Sequence, residues 1–347
     1  MLALFIQLRW SFPCPGIPMP RHNKFLLHTL SCAAVAGAVL GIVPAVHAQT
    51  VIGIANLGPH PSISQTIAGF KEEMARAGYV EGKNTTYVYG DANFTQALMP
   101  QMLTQIASRK PAVILTLTTS VSQTALSAVA DRKLPMVFAM VTDPVAAGLV
   151  EGWDHGSSRF VGASDMQDFD AVLVFAKKLF PNARSFGTLY NPGEANDVTT
   201  TRKLEEAARR AGLKFKPISV DTAADIPQRA EMLRGTDFMY ATGSNLVQSA
   251  MPAVASVTNR LKVPILSSET EFVKSGIAAA NYAVSLRSIG VNAATLAARV
   301  LKGSAPAALP VLTPSPADYV STINTTKFKQ LGLTVPPSME SCQCFIN

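Results

Sequence analysis

Thiols are nearly missing from this sequence. Of 347 residues only four are cysteine, and none lies between Cys32 and Cys342. The body of the chain therefore offers no cysteine nucleophile and no cysteine metal site. Histidine is almost as scarce. After residue 48 only His60 and His155 occur, on separate segments without metal-ligand spacing. Charged residues make up 15%, with no run of lysine or arginine. The net charge of +7 is inflated by residues 1–48, which hold Arg9, Arg21 and Lys24 and no acid; the remainder has 27 basic residues against 23 acidic. A nucleic-acid partner has little support from so mild an excess. There is no Gly-x-Ser-x-Gly elbow, no Gly-x-Gly-x-x-Gly turn and no phosphate loop. Catalysis needs a positioned base, nucleophile or metal, and none stands out. No cofactor, no metal and no catalytic residue is expected.

What is present begins with an export signature. Arg21 and Lys24 precede an apolar stretch over residues 25–43, and Val46-His47-Ala48 offers a small-residue cleavage site before Gln49. The reading is a cleaved signal peptide, with translation starting at Met19, and a periplasmic, oxidising destination. An uncleaved anchor is the alternative, since the apolar stretch nearly spans a bilayer. Thr29-Leu30-Ser31 before Cys32 makes a poor lipidation site. At the other end, Cys342 and Cys344 are separated by one residue, too close for an easy bridge. The tail over 340–347 reads as frayed.

Beyond residue 49 short β-rich runs alternate with amphipathic helices. Residues 50–57 form a strand; Ile63, Ile67, Phe70 and Met74 recur at helical spacing, and Gly78 ends that helix. Pro100 is expected to kink or break the next helix. A second round of alternation starts near Asp165, with Glu205 and Arg209 four apart on a solvent-facing helix side. The stretch over 246–261 reads as one helix. Such regular alternation implies right-handed βαβ units and parallel sheets. Two rounds imply an α/β chain of two doubly wound lobes.

In open α/β sheets ligands bind beyond the C-terminal strand ends. The first strand ends near His60 and Ser62, the third in Thr118, Thr119 and Ser120, and the fourth in Thr142 and Asp143. In the second round the strand ends supply Tyr190, Asn191 and Asn196, then Ser244 and Asn245, then Ser268 followed by Glu269, then Tyr282. Helix capping accounts for such residues one at a time, and Asp143 before Pro144 also suits a turn. Convergence of polar groups at matching ends of both rounds points to binding of a small solute. Asp143 is the carboxylate expected to accept from a ligand N–H or ammonium.

"HPSISQTIAGFKEEMARAGYVEGKNTTY", "PMVFAMVTDPVAAGLV", "GTLYNPGEAN", "VPILSSETEFVKSGI" and "INTTKFKQLGLTVPPSM" together resemble the ABC-transporter substrate-binding family associated with tryptophan and tyrosine uptake. The resemblance covers residues 50–339. It implies a type I periplasmic-binding-protein fold, with two lobes joined by three crossovers and a ligand cleft between them. On that pattern lobe 1 is 50–162 plus 286–314, and lobe 2 is 163–285 plus 315–339. Thr118, Ser120, Thr142 and Asp143 match cleft positions of the first lobe; Tyr190, Asn191, Asn196, Asn245 and Ser268 match those of the second. The family often has Thr-Asp-Asn where this chain has Gly243-Ser244-Asn245, so Ser244 stands in place of an acid. The implied partners are a small polar or aromatic solute, such as an amino acid, and an ABC permease in the inner membrane, with the protein a monomer. Two other readings stay open. A ligand-sensing module docking on a receptor uses the same fold, and an exported α/β enzyme would need a catalytic group the chain does not offer.

Overall fold

A computed structural model describes residues 49–347. The expected signal peptide and Met19 start, with Cys14 and Cys32, lie outside the described residues. The first round comprises β1 (Thr50–Asn56), α1 (Pro61–Arg76), β2 (Thr85–Asp91), α2 (Met99–Ser108), β3 (Val113–Leu117), α3 (Thr119–Ala128), β4 (Met136–Ala139) and β5 (Phe160–Ala163). The second comprises α4 (Phe169–Leu179), β6 (Ser185–Tyr190), α5 (Ala195–Ala211), β7 (Lys214–Ser219), α6 (Ile226–Ala230), β8 (Phe238–Ala241), α7 (Asn245–Ser249), α8 (Met251–Leu261), β9 (Ile265–Ser267), α9 (Thr270–Lys274) and β10 (Ala280–Val284). Then follow α10 (Leu286–Leu301), β11 (Tyr319–Asn324), α11 (Thr325–Leu331) and β12 (Phe345–Ile346).

The strands form two sheets. One has the order β2-β1-β3-β4-β5 and is parallel throughout. The other runs β12-β11-β10-β9-β8-β6-β7 and is parallel except where β10 meets β11. β3, β4, β5 and β8 are buried along their whole length. That is why they read as unbroken apolar runs: helices cover both faces of such strands. The chain changes sheets three times: between Ala163 and Phe169, between Val284 and Leu286, and between Leu312 and Tyr319.

α10 returns to the first sheet, packing on α1 and against β3, β4 and β5. Two glycines let α1 and α10 approach. A Cβ on Gly290 would stand 2.0 Å from the Thr66 carbonyl oxygen, and one on Gly69 2.2 Å from that of Arg287. Both obstacles are backbone atoms, which cannot rotate aside. Gly290→Ala is therefore expected to cost about 3 kcal/mol, the upper end for overpacking. Urea unfolding of the variant should show a lowered midpoint; an unchanged midpoint would mean the helices can part freely.

The structure departs from the sequence reading at four places. Pro100 does not break a helix; it occupies the first turn of α2, after a 3-10 turn over Gln96–Leu98, where a missing N–H costs nothing. Residues 246–261 are two helices, α7 and α8, because Pro252 starts a new first turn after Ala250. On α5 the i,i+4 ion pair is Arg202–Glu206 at 3.5 Å, not Glu205–Arg209. The tail is not frayed. Cys342 and Cys344 form a disulfide, Cys344 is buried, and β12 adds an edge strand to β11. Cys344 accepts from Ile323 N at 2.8 Å through its carbonyl, which ties the tail to β11.

Candidate functional site: a cleft between the two sheets

Residues just beyond the strand ends of both sheets meet around one cavity. It has two chambers, of about 20 Å³ and about 40 Å³, which share Asp165, Gly243 and Glu269 as a common wall. Space of that size admits single waters, so a larger solute must enter with the lobes apart.

The first chamber is mixed: Phe169, Tyr240 and Leu286 stand beside its polar groups. Thr142 comes from the end of β4, Asp165 and Gln167 from the first crossing, Thr242 from the end of β8, and Ser268 and Glu269 from the end of β9. Asp165 Oδ1, Thr242 Oγ1 and Ser268 Oγ are sealed from solvent with no hydrogen-bond partner. Burial pushes the Asp165 carboxyl up to about 6, against a hydrogen bond from Thr142. Burial likewise pushes Glu269 up to about 7, against a bond from Ser62 and with the Asp165 and Glu271 charges adding to the rise. Among the described residues, no lysine or arginine lines either chamber.

The second chamber adds an apolar wall of Leu57, Ile63, Phe94 and Met140, with His60 and Gln248 at its polar side. Its backbone is strained. Phe94 has φ 57°, Thr118 φ 78° and Met140 φ 58°, values that cost non-glycine residues on the order of 1 kcal/mol or more each. Such conformations persist where surrounding structure over-determines them, and here all three line one chamber. Thr118 Oγ1 and Gln248 Oε1 are buried there without partners.

The two sheets also touch directly across the cleft. Ser62 Oγ donates to Glu269 Oε2, and Asn245 Nδ2 donates to Ser120 Oγ at 3.2 Å. His60 caps α1 by accepting from Ser62 N and lies 3.8 Å from Glu269. Burial lowers the His60 pKa, against the raising effect of Glu271, so its ring is neutral near pH 7 and adds no full charge to this contact.

Of the residues singled out in the sequence, His60, Thr118, Thr142, Asn245 and Ser268 line the cavity, and Ser62 and Ser120 stand in the contacts between sheets. The others serve the framework around it. Thr119 is buried as the first residue of α3. Ser244 caps α7 by accepting from Val247 N at 3.3 Å. Asn196 Nδ2 donates to the Gly243 carbonyl at 3.1 Å. Asn191 donates its backbone N–H to Asp197 at 2.6 Å, and Tyr190 precedes it half-buried at the end of β6. Tyr282 stacks between Phe175 and Tyr319, beside a separate groove at the crossovers. Asp143 Oδ1 accepts from Val145 N at 3.2 Å and Ala146 N at 3.0 Å. Its carboxylate is spent on the turn that Pro144 continues, and it lines neither chamber.

Of the acids that face the cavity, Glu269 stood at a strand end beside Ser268 without being singled out; Asp165 was not among the sequence candidates, nor were Thr242, Gln248 and Phe94. Glu269 directly follows Ser268 at a strand end and Thr242 directly follows β8, so the same rule reaches both. Phe94 follows β2, and its ring carries no hydroxyl or amide that would mark it. A further acid, Glu194, is buried below the cavity, where it accepts from Asn245 N at 2.8 Å and Leu246 N at 2.9 Å. Burial and then the charge of Glu194 raise Asp197 to about 7.

Comparison with known proteins gives the family and the fold. The family model described as "ABC transporter substrate binding protein" matches residues 51–342. A tyrosine-binding protein of Clostridioides difficile is 30% identical over 280 residues, covering 80% of each chain. The structure of an ABC domain in complex with L-Trp from Streptococcus pneumonia superposes with a TM-score of 0.80 at 26% identity, covering 86% of this chain and all of that one. A ligand-free, open substrate-binding protein with adhesive properties from Clostridium difficile superposes with a TM-score of 0.66 at 28% identity, covering 86% of this chain and 99% of that one.

Proposed function

This chain belongs to the family of ABC transporter substrate-binding proteins, and we propose from that premise that it is the exported solute-capturing component of an importer, binding an amine-bearing solute with an aromatic side chain. The leader delivers it to the periplasm as a monomer, and the loaded form docks on an inner-membrane permease. The lobes that close on the solute are 50–162 with 286–314, and 163–285 with the remainder. The observation that carries the reading is the wall of the first chamber: Asp165 and Glu269 side by side, with partnerless hydroxyls around them and no cation. A cationic amine gains from both carboxylates, whereas a sugar acid or dicarboxylate is repelled. The apolar wall of the second chamber suits a side chain. The serine and threonine hydroxyls, with the N-terminal N–H groups of α3, suit a carboxylate. The higher TM-score against the L-Trp complex than against the open protein, at similar identity, supports a lobe arrangement close to the solute-bound one.

Closure then follows from differential contact, because a solute touching both lobes stabilises the form in which it does so. Micromolar affinity corresponds to about −8 kcal/mol. Two or three charge-assisted hydrogen bonds of roughly 1.5–3 kcal/mol each, plus one buried ring, supply it. The test is a thermal-shift and calorimetric series on residues 49–347 with L-tryptophan, L-tyrosine, glucose and glutarate. L-tryptophan or L-tyrosine at a hundred times its dissociation constant should add about 2.7 kcal/mol of stability. Stabilisation by glucose or glutarate alone would overturn the reading.

A further inference from the structure

We infer that Phe94 is the residue that selects a flat aromatic side chain in the solute, held in place by Gly58; the inference rests on the solute-binding reading above. Three observations converge on it. Phe94 lines the second chamber beside Leu57, Ile63 and Met140. It is half-buried on a loop after an edge strand, packed against the margin of the first sheet's core with Met140. Its backbone and that of Asn93 both take left-handed φ, 57° and 48°, which β-sheet loops normally reserve for glycine or single asparagines.

That conformation is stitched to the end of β1. Asn93 N donates to Asp91 Oδ1 at 2.6 Å, Ala92 N to the Asn56 carbonyl at 3.1 Å and Phe94 N to the Leu57 carbonyl at 2.8 Å. Asn56 Nδ2 in turn bridges Asp91 Oδ2 at 2.7 Å and the Gly58 carbonyl at 2.9 Å. The ring lies flat on Gly58, where a Cβ would come within 2.5 Å of it. The loop thus holds the ring against backbone at a position where it lines the chamber. A rigid aromatic platform favours an aromatic partner over an aliphatic one of equal size, because the quadrupoles of two rings can align.

The test is calorimetric titration of wild type, Phe94→Leu, Phe94→Tyr and Gly58→Ala with L-tryptophan and L-leucine, each variant first checked for an unchanged thermal transition. Phe94→Leu should weaken L-tryptophan at least tenfold and L-leucine less than threefold. Phe94→Tyr, which keeps the ring, should stay within threefold of wild type for both. Gly58→Ala, which displaces the ring without altering it, should lower the tryptophan preference as Phe94→Leu does. Equal tryptophan affinity in wild type and Phe94→Leu overturns the assignment, as does equal loss in Phe94→Leu and Phe94→Tyr. If wild type binds neither L-tryptophan nor L-tyrosine, the solute reading itself has failed and this inference falls with it; if wild type binds, the variants judge Phe94 alone.

Discussion

Asp165→Asn is expected to weaken L-tryptophan binding about tenfold while making the ligand-free protein harder to unfold at pH 8. The two effects have one cause. Asp165 sits half-buried at the first crossing, its Oδ1 sealed off with no partner, and burial lifts its carboxyl to about 6. Above that pH the fold holds an ion that the unfolded chain would hydrate better. Asparagine keeps the shape and removes the charge, which returns up to about 3 kcal/mol at pH 8 for a shift of this size. The same charge is what an ammonium needs. A charge-assisted hydrogen bond reduced to a neutral one loses about 1.4 kcal/mol, close to tenfold. Asp143→Ala supplies the contrast. Its carboxylate holds a turn through two backbone N–H groups, so the variant should lose about 1 kcal/mol of stability and keep its affinity within threefold. Calorimetry and urea unfolding on both variants separate the cases. An Asp143 variant that stops binding while the Asp165 variant binds normally would sink the assignment of the ammonium partner.

That contrast also marks how far the sequence could be read. The two sheets were legible because fully buried strands such as β3 and β4 must be apolar throughout, while α1 repeats its apolar residues at helical spacing. Reading α/β sheets at their strand ends brings in His60, Thr118, Thr142, Asn245 and Ser268, which line the cavity. Which group at a strand end faces the cleft was beyond that reading. Asp143 and Asp165 each stand a few residues past a first-sheet strand; one turns back onto its own backbone and the other toward the second sheet, a choice set by the crossover's path and not by local pattern. Tyr282 ends near a strand terminus too, yet β10 leads into the crossovers, so its ring joins the stack with Phe175 and Tyr319. The tail was misread for a related reason. β12 is only two residues long, and its pairing depends on an edge of β11 that no local signal announces.

Binding of L-tryptophan should strengthen as pH rises from 5 to 8, while the ligand-free protein should become less stable over the same range. The signs follow from the direction of the shifts. Asp165 rises from 3.8 to about 6, and Glu269 from 4.5 to about 7. A carboxyl whose folded pKa is raised binds more protons in the native state. Its stabilising contribution is complete below the unfolded value near 4 and is lost as pH climbs through 6 to 7. Asp197, raised to about 7 by burial and Glu194, adds to the same trend. His60 opposes it, since burial lowers its pKa and protonation on the acid side costs the fold. Three carboxyls against one imidazole leave a net fall in stability toward alkaline pH. The solute reverses the preference, because an ammonium seated between Asp165 and Glu269 favours their ionised forms. Binding at pH 5 must then expel protons, and each expelled proton costs about tenfold in affinity per pH unit below the carboxyl's own pKa. Affinity should therefore fall at least tenfold between pH 7.5 and 5.5, and calorimetry in buffers of differing ionisation heat should detect proton release on binding near pH 6. Affinity constant across that range, with no proton exchanged, would place the ammonium away from both carboxylates and leave the acidic chamber without its proposed occupant.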